Sequence, residues 1–174
     1  IADLPLGTYK VVEKTAPEGF VLNEEAQTVT FSYKDQKTPV IEQTAAFEND
    51  RQKVEVSVVK QDAENETVVA GAEFGLYAKE DILAHGEVVV KADTLLGKAV
   101  SNEDGKAVFE LDLPFGSYYI KELAAPAGYV SSFETLEATA KYQGQDVKVV
   151  KLESVFKNQP TKVTFKKSDI TTGV

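Results

Sequence analysis

Apolar and polar residues alternate with a period of two along most of this chain. Val54, Val56, Val58 and Lys60 share one face of a run whose other face carries Glu55, Ser57, Val59 and Gln61. Tyr118, Ile120 and Glu122 alternate with Tyr119 and Lys121. Val150, Leu152, Ser154, Phe156 and Asn158 alternate with Val149, Lys151, Glu153, Val155 and Lys157. A period of two marks a strand with one buried face, because successive side chains leave a pleated backbone on opposite sides. Turn-forming clusters interrupt the pattern, among them Asn102-Glu103-Asp104-Gly105 and Tyr142-Gln143-Gly144-Gln145-Asp146. No stretch sustains a period of 3.6; Asp81 to His85, ended by Gly86, is the one segment expected to form a short helical turn. Short strands between turns predict an all-β sandwich.

The pattern is also written twice. Residues 4–20, from Leu4-Pro5-Leu6-Gly7-Thr8-Tyr9 to Ala16-Pro17-Glu18-Gly19-Phe20, match residues 113–129, from Leu113-Pro114-Phe115-Gly116-Ser117-Tyr118 to Ala125-Pro126-Ala127-Gly128-Tyr129. The offset of 109 holds without a gap to Phe47-Glu48-Asn49 against Phe156-Lys157-Asn158. A fixed long period predicts tandem domains, each of roughly 110 residues and large enough for its own core. The 174 residues then divide into the C-terminal half of a preceding repeat at 1–50, a complete repeat at 51–160 and the first strand of a following repeat at 161–174. In the last piece, Val163-Thr164-Phe165-Lys166-Lys167-Ser168-Asp169 mirrors Val56-Ser57-Val58-Val59-Lys60-Gln61-Asp62. The junctions lack Gly/Ser tracts, which predicts closely strung domains.

Three polar residues stand where the alternation demands apolar ones. Lys60 continues the face of Val54, Val56 and Val58; Glu122 continues that of Tyr118 and Ile120; Asn158 continues that of Leu152 and Phe156. Each has an ordinary explanation alone: a lysine that snorkels to water, a glutamate at a turn, a turn-forming asparagine. Recurrence argues otherwise. Glu13 follows the Tyr9–Val11 face, Asn49 the Ala45–Phe47 face and Lys167 the Val163–Phe165 face. Unpaired charges are costly in a core, and burial favours neutral forms. A neutral lysine amine is a nucleophile, and the side-chain amide of asparagine is a matching electrophile. A carboxylic acid at Glu122 would carry protons between them as ammonia leaves. The expected product is a Lys60–Asn158 isopeptide bond, formed once and without turnover. Glu13 takes the same proton-carrying role in the preceding repeat, and Asn49 and Lys167 are expected to find their partners outside these residues.

The segment Tyr118-x-x-x-Glu122-x-x-Ala125-Pro126-x-Gly128-Tyr129 resembles that of the collagen-adhesin B-type, SpaA-like pilin domains of Gram-positive cell-surface proteins. Lys60 within Val-Val-Lys-Gln-Asp and the following Gly71-Ala72-Glu73-Phe74-Gly75-Leu76-Tyr77 look like that family's first two strands, and Phe156-Lys157-Asn158 like its closing strand. The resemblance implies a prealbumin-like Greek-key sandwich in which the matching lysine, glutamate and asparagine form an intramolecular isopeptide. It also implies a structural stalk or shaft module of a bacterial adhesin or pilus-like protein, extracellular and anchored to the cell wall, with neighbouring repeats as partners. No Tyr-Pro-Lys pilin motif and no Leu-Pro-x-Thr-Gly sorting signal occurs. Leu4-Pro5-Leu6-Gly7-Thr8 is read as a turn, since Leu113-Pro114-Phe115-Gly116-Ser117 is its counterpart.

Composition narrows the alternatives. A net charge of −9 with both signs interspersed argues against nucleic-acid and anionic-membrane partners. The absence of cysteine excludes disulfides and thiolate metal sites. The single histidine, His85, sits in an Ala-His-Gly context read as a solvated loop. No apolar run reaches the length of a membrane span, and without a leader or initiator methionine the chain is expected to be an internal stretch of a longer protein. There is no Ser/His/Asp set, phosphate loop or metal cluster, so neither an enzyme nor a cofactor is expected. The acidic run Asp62-Ala63-Glu64-Asn65-Glu66, with its Asn65-Glu66-Thr67 sequon, is read as a solvated loop. The competing reading is a ligand-binding module that recognises a host protein or glycan, for which an outward tyrosine from the adjacent pair Tyr118 and Tyr119, or Tyr142, would be needed.

Overall fold

The computed structural model describes residues 4–84 and 86–167. Its strands, in chain order, are β1 (Gly7–Val11), β2 (Gln27–Phe31), β3 (Lys53–Asp62), β4 (Glu73–Ala78), β5 (Ile82–Ala84), β6 (Glu87–Val90), β7 (Leu95–Val100), β8 (Lys106–Phe109), β9 (Gly116–Ala124), β10 (Thr135–Ala140) and β11 (Val149–Asn158). No helix occurs among the described residues. The chain forms two compact units: one runs to Lys53 and includes Lys141–Val150, and the other comprises Val54–Ala140 and the residues from Lys151 onward.

The second unit is a β-sandwich. One sheet has the order β10-β9-β4-β7 and the other the order β11-β3-β8. Apart from β9 and β10, every neighbouring pair is non-consecutive in the chain, so the chain crosses repeatedly between layers, in Greek-key fashion. The inward faces are those the alternation predicts. Val54, Val56 and Val58 of β3, Phe74 and Leu76 of β4, Tyr118 and Ile120 of β9, and Phe156 of β11 are at most 4% exposed. Phe74 meets Phe156 edge-on, with ring centroids 5.3 Å apart, which joins the two sheets at their centre. Fully burying each such side chain contributes about 1.5–3 kcal/mol. On the outer face, Tyr119 stacks on Tyr77 at 5.1 Å with Lys121 above both rings. Tyr119 thus belongs to a cross-strand ladder.

Residues 81–84 are not a helical turn. β5 and β6 form a hairpin with Ile82 opposite Val90 and Leu83 opposite Val88. The β-branched run Val88-Val89-Val90 favours extended backbone, and Gly86 supplies the turn's positive φ of 85°. Asp81 accepts from the backbone N–H of Ala92 at 2.8 Å, beyond the far end of the hairpin, rather than capping a helix. His85 lies outside the described residues.

In the first unit, β1 pairs with β2 so that Tyr9 faces Val29 across the ladder. Lys141–Val150 is held there through two glutamines. Gln52, 1% exposed, donates to the carbonyls of Gly144 and Val147 and accepts from the N–H of Gln143. Gln145 accepts from the N–H of Ala16 at 2.9 Å. Residues 161–167 form no strand, and Val163 and Phe165 are exposed.

Candidate functional site

Three strands of the sandwich bring Lys60, Glu122 and Asn158 together. Lys60 sits near the end of β3, fully buried, on the face shared with its valines. Asn158 ends β11 at 2% exposure, and Glu122 lies half-buried on β9, opposite Phe74 of β4. The N–H of Ala63 donates to the carbonyl of Asn158 at 3.0 Å, which ties the chain leaving β3 to the end of β11.

The amide of Asn158 is gripped by its nitrogen. Nδ2 donates to both oxygens of Glu122 at 2.8 Å each and to the carbonyl of Val130 at 2.8 Å. Oδ1 is buried and accepts no hydrogen bond among the described residues. A buried acceptor left without a partner costs about 1–3 kcal/mol. Glu122 is itself fixed by the N–H of Ser132, which donates to Oε2 at 3.0 Å.

Lys60 Nζ donates to the carbonyl of Gln61 at 2.9 Å and lies 5.3 Å from the ring centroid of Tyr129. Burial pulls its pKa below the ordinary lysine value, and the charges of Glu122 and then Asp62 oppose that shift. The arrangement therefore places an amine with weakened hold on its proton, an amide carbonyl and a carboxylate against the amide nitrogen in one corner of the sandwich.

The first unit contains the acid and the amide again. Asn49 Nδ2 donates to Glu13 Oε2 at 2.6 Å and to the carbonyl of Val21 at 2.9 Å, and the N–H of Asn23 donates to Glu13 Oε2 at 2.9 Å. Every one of these contacts has its counterpart 109 residues later. The framework recurs as well. The hydroxyls of Tyr9 and Tyr118 donate to the carbonyls of Pro5 and Pro114. Gly19 and Gly128 adopt φ of 90° and 87° and accept from the N–H groups of Gln52 and Thr161. Phe20 and Tyr129 each donate their N–H to the proline three residues earlier. Lys167 is exposed.

One residue beside Lys60 escaped the reading of the sequence. Asp62, assigned to a solvated acidic loop, is 4% exposed and accepts from the hydroxyl of Tyr129 at 3.0 Å. It continues the parity of Lys60 by one more step, and that signal was present. Its neighbours do form a turn: Asn65 Oδ1 accepts from the N–H and hydroxyl of Thr67.

Comparison with known proteins agrees with this architecture. The model of the SpaA prealbumin-like fold domain matches residues 1–45 and 54–155. Among solved structures, the Bacillus anthracis TIE protein aligns with a TM-score of 0.57 and 28% identity over 90% of this chain and 26% of its own. A variant of BcpA, the major pilin subunit of Bacillus cereus, aligns with a TM-score of 0.43 and 26% identity over 62% of this chain and 29% of its own. The T6 backbone pilin of serotype M6 Streptococcus pyogenes aligns with a TM-score of 0.43 and 30% identity over 51% of this chain and 16% of its own. The chain thus spans less than a third of the length of each of these proteins. No curated protein sequence matches it.

Proposed function

Because the chain belongs to the SpaA family of prealbumin-like fold domains, we propose that it is a structural module of an extracellular surface protein, sealed by an amide bond between Lys60 and Asn158. The observation that carries this reading is the Glu122 carboxylate, set 2.8 Å from the Asn158 amide nitrogen through both oxygens beside a fully buried lysine. Lys60, stripped of hydration, passes a proton to Glu122 and attacks Cγ of Asn158. The Nζ–Cγ bond forms and the Cγ–Nδ2 bond breaks. Glu122 already contacts Nδ2, so it hands the departing nitrogen both this proton and the second one that Nζ sheds as the new amide forms; the nitrogen leaves as ammonium, and the carboxylate is restored. The reaction happens once per molecule.

Such a bond would join β3 to β11, neighbours in one sheet and the first and last strands of the sandwich. Pulling on the chain would then load a covalent path instead of peeling strands apart. By analogy with disulfides, closing a loop of this size contributes about 4–5 kcal/mol through the unfolded state. A stalk or shaft of a cell-wall-anchored adhesin or pilus-like protein is the setting that uses this property. Its nearest partners would be further repeats of the same protein. The Glu13–Asn49 pair would belong to one whose lysine strand precedes these residues, and Lys167 to one that follows.

Peptide mapping by mass spectrometry tests the reading. A proteolytic digest of the wild type should yield a branched peptide joining Lys60 to Asn158, absent from the Glu122→Ala variant. Two separate linear peptides from the wild type would refute the bond.

A further inference from the structure

We infer that Tyr129 and Asp62 form a positioning pair that holds the Lys60 amine against Glu122 and Asn158. This rests on the cross-linking reading above. A lysine side chain carries about 2 kcal/mol of rotamer entropy, and an attacking amine misplaced by about 1 Å loses up to a hundredfold in rate. Something must therefore hold the end of this long chain, and the hydrogen bond to the Gln61 carbonyl is the only one Nζ makes among the described residues that the structure records as a donor contact.

The remaining hold comes from Tyr129. Its ring lies 5.3 Å from Nζ, within reach of a cation–π attraction. The ring is anchored at both ends. Its backbone donates to the carbonyl of Pro126 at 3.2 Å and bridges to Pro160, and its hydroxyl donates to Asp62 Oδ2 at 3.0 Å. Asp62 is in turn held by three hydrogen bonds: Oδ1 accepts from the N–H groups of Glu64 at 2.7 Å and Asn65 at 3.2 Å, and its own N–H donates to the carbonyl of Thr67.

This division of labour also explains why two carboxylates beside one lysine do different things. Both oxygens of Asp62 are occupied by donors from Glu64, Asn65 and Tyr129, and the Asn158 amide nitrogen donates to Glu122 and Val130 instead, so the charge of Asp62 steadies the ammonium while Glu122 carries the proton. Both oxygens of Glu122 face the departing nitrogen. Three ionisable groups face Lys60: Glu122 from β9, Asp62 from its own strand and Tyr129 from the turn after β9. The first unit, which has Phe20 at the position of Tyr129, lacks the hydroxyl needed for such an anchor.

The test follows the loss of about 17 Da with time in the full chain freshly made by cell-free translation, at a series of pH values. Tyr129→Leu removes the ring and should slow the loss by about tenfold to a hundredfold. Tyr129→Phe keeps the ring and should slow it less. Asp62→Asn removes a charge that raises the lysine pKa, so the pH profile of the rate should move toward acid, which a purely structural role would not produce. Wild-type rates and an unmoved profile in all three variants would overturn the inference. If the wild type itself loses no mass, the cross-linking reading fails separately. The Lys60 ammonium then remains, and its NMR titration still decides: a lower pKa in Asp62→Asn upholds the pair, and an unchanged one overturns it.

Discussion

Glu122 and Asn158 meet through the same bonds as Glu13 and Asn49, but among the described residues only the first pair has its asparagine buried and a buried lysine beside it. Tyr118, Ile120, Phe156 and Asn158 are at most 2% exposed, whereas their counterparts Tyr9, Val11, Phe47 and Asn49 are half-buried. Leu113 is 4% exposed and Leu4 is 42% exposed. The difference separates what is local from what is not. The acid–amide contact is assembled by a hairpin, a Pro-x-Gly turn and a returning segment, all within about 45 residues. Burial and the lysine come from β3 and β4, which flank β11 and β9 in the second unit. Residues 40–49 show the same dependence: they carry the pattern of β11, yet without a β3-like neighbour among the described residues they form no strand. The acid–amide geometry therefore forms without the lysine strand, whereas the burial that lowers the Lys60 pKa requires it.

The comparison breaks most visibly at the asparagines. Asn158→Ala should abolish the mass loss and lower stability by about 4–5 kcal/mol, read as an earlier denaturant midpoint. Asn49→Ala should leave the mass loss intact. The acids come next. Glu13→Ala removes hydrogen bonds to a charged group worth about 1.5–3 kcal/mol, and its effect should appear as faster hydrogen exchange at the Asn23 amide, with cross-linking unchanged. Glu122→Ala should expose the Ser132 amide in the same way and also stop the reaction.

Smaller effects sharpen the picture. Gly19→Ala and Gly128→Ala each force a left-handed backbone on an L-residue, at about 1–2 kcal/mol. Nothing lies within 4 Å of a Cβ at Gly128, so the cost there is conformational alone. Thermal unfolding should register both, but only Gly128→Ala should slow cross-linking, because its turn carries Tyr129. The finest test is pH. In Asn158→Ala the lysine stays free with its pKa held below 10.5, chiefly by burial. The unfolded chain then binds that proton more tightly, so the penalty is full on the acid side and fades as pH rises toward the unfolded value. Denaturant titrations between about pH 7 and 10 should show stability climbing in this variant. The climb should flatten in Lys60→Met/Asn158→Ala.

Alternation alone located the three central residues, because a strand's period of two needs no knowledge of its neighbours. Val54 to Lys60 and Leu152 to Asn158 point where that period sends them. Asp62 obeyed the same rule and was missed because it opens an acidic run that reads as loop. The hairpin at 82–90 was missed because Asp81-Ile82-Leu83-Ala84 has no local feature against a helix; the partner strand decides it. The attachment of Lys141–Val150 to the first unit depends on Gln52 and Gln145. Long-range side-chain contacts of that kind leave no periodic trace.

The most direct measurement is the intact mass of the 174-residue chain. A single loss of about 17 Da is expected, from the complete site alone. No loss would contradict the bond, and a second equal loss would contradict the claim that the half-buried pair at Glu13 and Asn49 does not react within this chain.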